Sequence, residues 1–277
     1  MDLKLREHTI RLGDRPIVMG ILNVTPDSFY DGGKYSIWDR AVQRAEKMLE
    51  DGADIIDIGG ESTRPGAEPV SLEEELDRVI PVIEAIRDFP IPISIDTHKA
   101  KVAAEALKHG ASIVNDISGL RFDPEMAKVV AKYNVPVIIM HIKGTPRDMQ
   151  KNPHYENVVE EIKNYFIKQV DYAISFGIKR ENIILDPGIG FGKKLEHNIE
   201  ILRNINEFKK LGFPLLIGHS RKSMIGMILD GIPPEERLYG TLAISSYCIM
   251  NKVHIIRVHD VKEHVHLRKI LEAIVGA

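Results

Sequence analysis

The sequence predicts an α/β protein whose fold class is a (β/α)8 barrel of the TIM type. Short apolar runs alternate eight times with longer stretches in which apolar residues recur at helical spacing. Continuous Val, Ile and Leu segments of this length are typical of parallel strands covered on both faces. Eight such units favour a closed barrel. An open doubly wound sheet is the alternative, but it would need a glycine-rich nucleotide loop where this chain reads NVTPDSF.

The elements follow in a regular order. A short β-hairpin is expected within residues 1–14, where it would plug the bottom of the barrel. The eight strands are then predicted at PIVMGILNV, ADIIDIGG, IPISIDT, SIVNDIS, PVIIMHI, NIILDPG, FPLLIGHS and HIIRVHD. Several of the intervening helical patterns end in a glycine just before the next strand, as a helix C-cap should. After the seventh strand, DGIPPEER predicts a helix that is split in two over residues 225–237.

Bulk properties narrow the class of protein. The 277 residues suit one domain, residues 1–277, since barrels of about 250 residues are commonly single domains. The only cysteine, Cys248, excludes an internal disulfide and suits a reducing compartment. We expect a soluble, cytoplasmic protein, because the sequence shows neither a signal peptide nor a long apolar segment. A net charge of −3 with interspersed signs predicts neither a nucleic-acid nor a membrane partner.

Polar residues stand at nearly every predicted strand end. In a (β/α)8 barrel these ends and the following loops build the active site. The candidates are Asn23, Asp57, Glu61 to Arg64, Asp96, Asn115, Asp116, His141, Asp186, Ser220 to Lys222, and Arg257 to Asp260. Three of them also have a structural interpretation: Asp57 could be a hydrogen-bonded core carboxylate, Asp96 could cap the next helix with Thr97, and Asp186 could serve the Pro-Gly turn. Together, Asp96, Asn115 and Asp186 suit a pocket for a flat heterocycle with several hydrogen-bond donors.

The stretch GHSRKSMIG predicts an anion site. Arg221 and Lys222 precede a predicted helix, whose positive dipole end would repel two cations unless an anion bound there. On the last strand, Arg257 and His259 alternate and should share a face. The ends of strands seven and eight often bind phosphate in this fold. A solvated basic pair is the alternative.

Metal and cofactor signals are few. The first strand lacks the His-x-His pair of metal hydrolases, so a metal held by histidines is not expected. Asn23 offers an oxygen ligand suited to Mg²⁺ shared with a polyphosphate. DPGIGFG lacks GxGxxG spacing, and we interpret it as a flexible loop that lets the backbone approach a ligand, with Phe191 available for an aromatic contact.

These motifs, in this order, resemble those of the dihydropteroate synthase family. The resemblance extends over nearly the whole chain and is carried by MGILNVTPDSFYDGG, GADIIDIGGESTRPGA, ISIDT, IVNDISG, DPGIGFGK, GHSRKSMIG and RVHDV. It implies a barrel that is usually a homodimer through its late helices. It also implies condensation of 6-hydroxymethyl-7,8-dihydropterin diphosphate with 4-aminobenzoate, with Mg²⁺ as cofactor, at a site where sulfonamides compete.

The resemblance also implies residue roles. The pterin diphosphate would be held by Thr63, Asp96, Asn115, Asp186, Lys222, Arg257 and His259. The 4-aminobenzoate would be bound by Phe29, Thr63, Arg64, Pro65, Phe191 and Ser223. Asn23 would hold the metal. Lys222 and Arg257 would take part in catalysis together with Asp31, whose loop TPDSFYDGG would close over the site.

Two other functions are compatible with a pterin-binding barrel. A methyltetrahydrofolate:corrinoid methyltransferase shares the fold and the pterin carboxylates but handles no diphosphate, and SRK, RVH and the TPDSFYDGG loop discriminate against it. A non-catalytic pterin-binding homologue should have lost loop or anion residues, and all of them are present in this sequence.

Overall fold

The computed structural model describes residues 2–5, 8–13, 15–25 and 37–275. Within them the strands are β1 Asp2–Leu5, β2 His8–Arg11, β3 Ile17–Asn23, β4 Ile55–Gly59, β5 Ile93–Asp96, β6 Ile113–Asp116, β7 Val137–Met140, β8 Ile183–Asp186, β9 Leu216–Gly218 and β10 Ile255–Val258. The α-helices are α1 Ile37–Glu50, α2 Leu72–Ile86, α3 Ala100–His109, α4 Met126–Tyr133, α5 Val158–Ser175, α6 Leu195–Arg203, α7 Ile205–Lys209, α8 Ser223–Ile228, α9 Leu238–Met250 and α10 Val261–Val275.

Strands β3 to β10 form one parallel sheet in the order β8-β7-β6-β5-β4-β3-β10-β9. The two ends of this order meet, because Leu185 and Leu215 form a parallel bridge and the Leu185 N–H donates to the Pro214 carbonyl at 2.9 Å. Helices connect successive strands and cover the outside. The predicted (β/α)8 barrel is therefore confirmed.

Both faces of the barrel strands are buried, which explains why their sequences are continuously apolar. Outward side chains such as Val18, Ile56 and Val114 pack against the helices in the main core. Inward side chains form a second, smaller core at the start of the strands. Among the described residues, no helix combines the length and apolar character needed to cross a membrane.

The N-terminal hairpin forms the floor of this inner core. In β1, buried Leu3 and Leu5 alternate with exposed Asp2 and Lys4. Both leucines, with Leu12, contact the first inward residues of the barrel strands. The hairpin therefore closes the bottom of the barrel, as the sequence predicts. The helix after β9 is also split as predicted, since α8 and α9 are separated by a 3-10 turn at Pro234–Glu236.

We expect Leu3→Ala to lower the free energy of unfolding by about 2–5 kcal/mol, because Leu3 is fully buried in the inner core. Urea denaturation would measure this change. Lys4→Ala is the matched control, because the Lys4 side chain is exposed on the same strand. If the two variants have equal free energies of unfolding, the packing of Leu3 against the inner core does not stabilise the barrel.

Candidate functional site

The inward residues of the barrel change from apolar to polar toward the carboxyl ends of the strands. Side chains of one strand face alternate sides, so residues two apart share the interior. On four strands an isoleucine of the inner core is followed two residues later by a polar residue. These pairs are Ile55 and Asp57, Ile113 and Asn115, Ile184 and Asp186, and Ile255 and Arg257. The alternation thus brings polar groups from separate strands into one interior layer.

Arg257 lies at the centre of this layer. Its Nε donates to Asp57 Oδ2 at 2.6 Å, and its Nη2 donates to Asp96 Oδ2 at 2.6 Å. Asn115 Nδ2 donates to the same Asp57 oxygen at 2.9 Å. Burial lowers the pKa of Arg257, but the two carboxylates outweigh it and raise that pKa above its ordinary value. Arg257 is therefore a fixed cation bridging β10 to β4 and β5.

The interpretations left open for Asp57 and Asp96 can now be decided. Asp57 is fully buried and bonds Arg257 and Asn115, while its Oδ1 has no hydrogen-bond partner among the described residues. It belongs to the site's polar network, although it was not among the residues assigned a role from the sequence. Asp96 does not cap α3, since the first N–H groups there donate to Thr97 Oγ1 at 3.1 Å and Asp123 Oδ2 at 2.8 Å.

Asp186 serves the turn and the site at once. Its Oδ1 accepts the Gly188 N–H at 2.7 Å, while its Oδ2 lies 3.7 Å from the position that a Cβ on Gly218 would occupy. Burial raises the pKa of Asp186 to about 6, and the Gly188 N–H and Arg257 oppose this shift. Burial also raises the pKa of Asp96, against the attraction of Arg257. Both carboxyls are therefore poised to exchange protons or hydrogen bonds with a ligand.

Asn23 ends β3 beside Asp96. The register places Asn23, Gly59 and Asp96 side by side on three strands. A Cβ on Gly59 would lie 3.8 Å from Asn23 Oδ1 and 3.7 Å from Asp96 Oδ2, so the glycine leaves room between these oxygens. In the described part of the chain no cluster of three His, Cys, Asp or Glu side chains could hold a metal. The oxygen of Asn23 fits Mg²⁺ only as one ligand among several that a bound substrate and water would supply.

Lys222 and Phe191 face each other at the rim of the barrel. Lys222 Nζ lies 4.0 Å from the centroid of the Phe191 ring, within the range of a cation–π contact. The stem of Lys222 passes Gly190, where a Cβ would lie 3.3 Å from Lys222 Cδ. Burial lowers the pKa of Lys222 to about 8, an effect that Arg257 reinforces and that Asp186 and Asp96 oppose. An arriving anion would raise this pKa again.

The SRK stretch divides its residues between the site and the scaffold. Arg221 donates to Asp260 at 2.9 and 2.7 Å and to the carbonyls of Pro234 and Glu235, so its guanidinium braces the split helix. The expectation that Arg221 and Lys222 converge on an anion therefore does not hold for Arg221. Ser220 Oγ lies 2.9 Å from His259 Nδ1.

His259 is neutral near pH 7. Burial, followed by the charge of Arg257, lowers the pKa of His259 to about 3. The imidazole can therefore offer a ligand a hydrogen bond, whereas its positive charge would appear only in response to a bound anion. Arg44 Nη2 on α1 donates to the His259 carbonyl at 2.9 Å and helps to fix this segment.

The ESTRPG loop follows β4. Glu61 is bound to Lys99, which also contacts Glu75 at 2.5 Å, so Glu61 anchors the loop. Thr63 is half-buried, whereas Arg64 and Pro65 are exposed. The tip of the loop is tied across the barrel, since the Gly66 N–H donates to the Pro146 carbonyl at 3.0 Å. Ser223, in the first turn of α8, is exposed. Phe29 and Asp31 lie outside the described residues.

Sequence reasoning missed two features. Asp116 is a structural residue, because its oxygens accept the Ser118 and Leu120 N–H groups at 2.8 Å. The DPGIGFG loop is held by many hydrogen bonds and is not the flexible segment that its glycines suggested. Buried Lys193 makes several of these bonds. The position of Lys193 directly after a glycine-rich loop is the feature of the sequence that could have indicated that it binds this loop.

Comparisons with known proteins agree with this geometry. Residues 19–259 match the family described as pterin binding enzyme. The chain is 52% identical to dihydropteroate synthase of Synechocystis sp. over 95% of this chain and 91% of that protein. It is 51% identical to dihydropteroate synthase of Escherichia coli strain K12 over 95% of this chain and 93% of that protein.

Solved structures give the same result. A Yersinia pestis dihydropteroate synthase in complex with a sulfonamide drug superposes with a TM-score of 0.94 at 46% identity, covering 100% of both chains. A Xanthomonas albilineans dihydropteroate synthase with 4-aminobenzoic acid gives a TM-score of 0.94 at 40% identity, covering 100% of this chain and 98% of that chain. The fold, the residues at the strand ends and these similarities lead to one conclusion. The chain belongs to the pterin-binding enzymes and, within them, to the dihydropteroate synthase family.

Proposed function

We propose that this protein is a dihydropteroate synthase. As a transferase, it would join 6-hydroxymethyl-7,8-dihydropterin diphosphate to 4-aminobenzoate and release pyrophosphate, a step of folate biosynthesis. The observation that carries this proposal is the buried network of Arg257, Asp57, Asp96 and Asn115 beside Asp186. Relatives 51–52% identical over nearly the whole chain bear the same name, which supports the proposal.

The polar network suits the pterin. Asp96, Asn115 and Asp186 offer oxygen acceptors from three strands, and a pterin carries several N–H donors along one edge. Carboxyls whose pKa is raised by burial gain more from such donors than solvated ones do, because water no longer competes. The apolar cluster that contains Ile117 and Met140 lies at the same end of the barrel and would cover the ring faces. The guanidinium plane of Arg257 would stack on the ring.

The anion-binding groups suit the diphosphate. Arg257 supplies a permanent charge, and His259 supplies a hydrogen bond that becomes a charge-assisted one when an anion approaches. Asn23 would share Mg²⁺ with the diphosphate oxygens. When bound there, Mg²⁺ would neutralise charge on the leaving group. The Thr63 hydroxyl would contact the same substrate from the ESTRPG loop.

The rim of the barrel suits 4-aminobenzoate. Phe191 would pack against its ring. Lys222, which would hold the pterin diphosphate, lies 4.0 Å from the centroid of the Phe191 ring and would therefore border both substrates. Thr63, Arg64, Pro65 and Ser223 would complete this side of the site, together with Phe29. The X. albilineans enzyme solved with 4-aminobenzoic acid is a relative with the same fold, which supports 4-aminobenzoate as the second substrate.

The reaction would begin with departure of pyrophosphate. The bond between the pterin methylene carbon and the diphosphate oxygen breaks, and its electron pair leaves with the pyrophosphate. The pterin ring would stabilise the resulting cation. The carboxylates of Asp96 and of Asp31, whose loop is expected to close over the site, would favour it electrostatically. The arylamine nitrogen then attacks the methylene carbon and loses a proton. No covalent bond to the enzyme is required.

We also propose that the protein is a cytoplasmic homodimer. Large apolar side chains are exposed along α8, α9 and the turn between them: Met227, Ile228, Leu229, Tyr239, Tyr247 and Met250. The sequence of α9, LYGTLAISSYCIM, contains no charged residue. A concentration of exposed apolar side chains on one segment of the chain is typical of a protein interface. Light scattering of the purified protein would test the homodimer.

The proposed activity is tested by measuring pyrophosphate release. The protein should release pyrophosphate only when pterin diphosphate, 4-aminobenzoate and Mg²⁺ are all present, with 7,8-dihydropteroate as the second product. Methyl transfer from methyltetrahydrofolate without pyrophosphate release would instead indicate the corrinoid methyltransferase function. Pterin binding without turnover would indicate a non-catalytic homologue.

Lys222→Ala should lower kcat/KM by about 100-fold or more while leaving the melting temperature nearly unchanged, because it removes a positioned charge at the site. Arg221→Ala is the matched comparison. That variant should mainly lose stability, because Arg221 binds Asp260 and two carbonyls of the split helix. Steady-state kinetics and thermal denaturation separate the two effects. If Lys222→Ala retains near-normal turnover, Lys222 has no role in the site.

Asp186→Asn should weaken pterin binding while stabilising the free protein above pH 6. The pKa of Asp186 is raised from its ordinary value of 3.8 to about 6. The folded state therefore holds the proton more tightly, and this contribution to stability is lost as the pH rises through about 6. The side chain at position 186 does not titrate in the variant. The variant's free energy of unfolding relative to that of wild type should therefore rise between pH 4 and pH 7. Denaturation at both pH values, with calorimetric titration of a pterin, gives the comparison. A constant stability difference would contradict the raised pKa.

A further inference from the structure

The loop Gly188–Gly192, here called the β8–α6 loop, has an unusual backbone. Gly188, Gly190 and Gly192 all have positive φ values, +68°, +82° and +65°. A Cβ at Gly188 would collide with the His141 carbonyl oxygen, and one at Gly192 would collide with the Lys143 carbonyl oxygen. The loop therefore lies directly against the backbone that follows β7. Glycine permits this conformation but does not select it, since glycine also has the most freedom to leave it.

Hydrogen bonds from several elements select that conformation. Gln150 Nε2 donates to the Gly190 carbonyl at 2.7 Å, and the Tyr155 hydroxyl donates to the Gly192 carbonyl at 2.8 Å. Asn198 Oδ1 accepts the Gly190 N–H at 2.7 Å. Two further carbonyls, those of Gly188 and Phe191, accept from Lys193 Nζ, each at 2.9 Å.

Lys193 is an unusual residue in this position. It is only 3% exposed, and its Nζ also lies 3.0 Å from His141 Nδ1 and 3.2 Å from the His141 carbonyl oxygen. Among the described residues none of the atoms that Lys193 contacts is a carboxylate oxygen. A buried amino group without a direct counterion is costly. Its contacts join both ends of the β8–α6 loop to the end of β7.

The loop carries two groups of the site. The Phe191 ring lies 4.0 Å from Lys222 Nζ, and Gly190 borders the stem of Lys222. The positions of the Phe191 ring and of Gly190 depend on the loop backbone. Lys193 holds that backbone through the carbonyls of Gly188 and Phe191. Asp186 depends less on it, since it is part of β8 and its register is fixed by pairing with Met140.

We infer that Lys193 is a positioning residue for the second substrate: its bonds to Gly188, Phe191 and His141 hold the β8–α6 loop so that the Phe191 ring, packed against Lys222, faces the arylamine. Lys193 makes no hydrogen bond to Lys222, and its bond to Phe191 is to the backbone carbonyl and not to the ring. The inference deepens the proposed function and rests on it for the identity of the second substrate. The rigidity of the loop does not depend on that function.

The test compares Lys193→Met, which keeps the length and loses the donors, with Lys193→Arg, which keeps donors. Lys194→Met is the control, because Lys194 is the next residue, is exposed and loses the same amino group. We expect Lys193→Met to raise the KM for 4-aminobenzoate at least 10-fold and the KM for pterin diphosphate less than threefold. Lys193→Arg should recover part of the loss, and Lys194→Met should match wild type.

Amide hydrogen exchange of the segment 188–192, measured without substrates, separates the inference from the proposed function. Lys193→Met should exchange there at least 10-fold faster than wild type, whether or not the protein proves to be a synthase. Unchanged exchange and an unchanged 4-aminobenzoate KM in folded Lys193→Met would overturn the inference, as would equal rises in both KM values. If Lys193→Met fails to fold, the variant Gln150→Leu tests whether hydrogen bonds to the β8–α6 loop control binding of the second substrate. It removes an exposed donor to the same loop and should raise only the 4-aminobenzoate KM, about threefold.

Discussion

The interior of this barrel depends on one ion-pair network, in which Arg257 binds Asp57 and Asp96. A guanidinium or a carboxylate placed alone in this interior would be destabilising by several kcal/mol, because each would lose its hydration. Here each charge has a partner at 2.6 Å, and Asn115 bonds the same Asp57 oxygen. The network allows strand ends that are otherwise apolar to carry ionisable groups. Removing Arg257 would leave both carboxylates buried without a cation, whereas removing one carboxylate would still leave Arg257 paired with the other.

The same network leaves the site's remaining groups only partly satisfied. Burial raises the pKa of Asp186 to about 6 and lowers that of Lys222 to about 8, so each group holds its charge less firmly than its solvated form does. A ligand that brings donors to Asp186 and negative charge to Lys222 relieves both effects at once. Binding energy of this kind is available only to a molecule that carries both features. A pterin diphosphate, which carries ring N–H donors and an anionic group on one molecule, has that combination.

The sequence predicts the barrel well because its strands are buried on both faces and their apolar runs are long and regular. It also identifies Asp96, Asn115, Asp186 and Arg257, since a polar residue at a strand end is conspicuous there. It could not decide the role of Asp57, because a strand that is apolar on both faces does not reveal which side chains point inward. The partner of Arg221 was equally hidden, since Asp260 is distant in the chain and only the fold brings them together.

The closure of the sheet has a consequence for synthesis of the protein. Strand β3 pairs with β4 on one side and with β10 on the other, from Ile17↔Ile255 to Gly20↔Val258. During translation the second edge of β3 therefore stays unpaired until residues 255–258 have left the ribosome. An apolar strand with a free edge readily recruits other chains. Contacts this distant in sequence also form slowly. The nascent chain should consequently be most prone to aggregation while this edge of β3 is unpaired. A chaperone that covers β3 would act at the step where aggregation competes with folding.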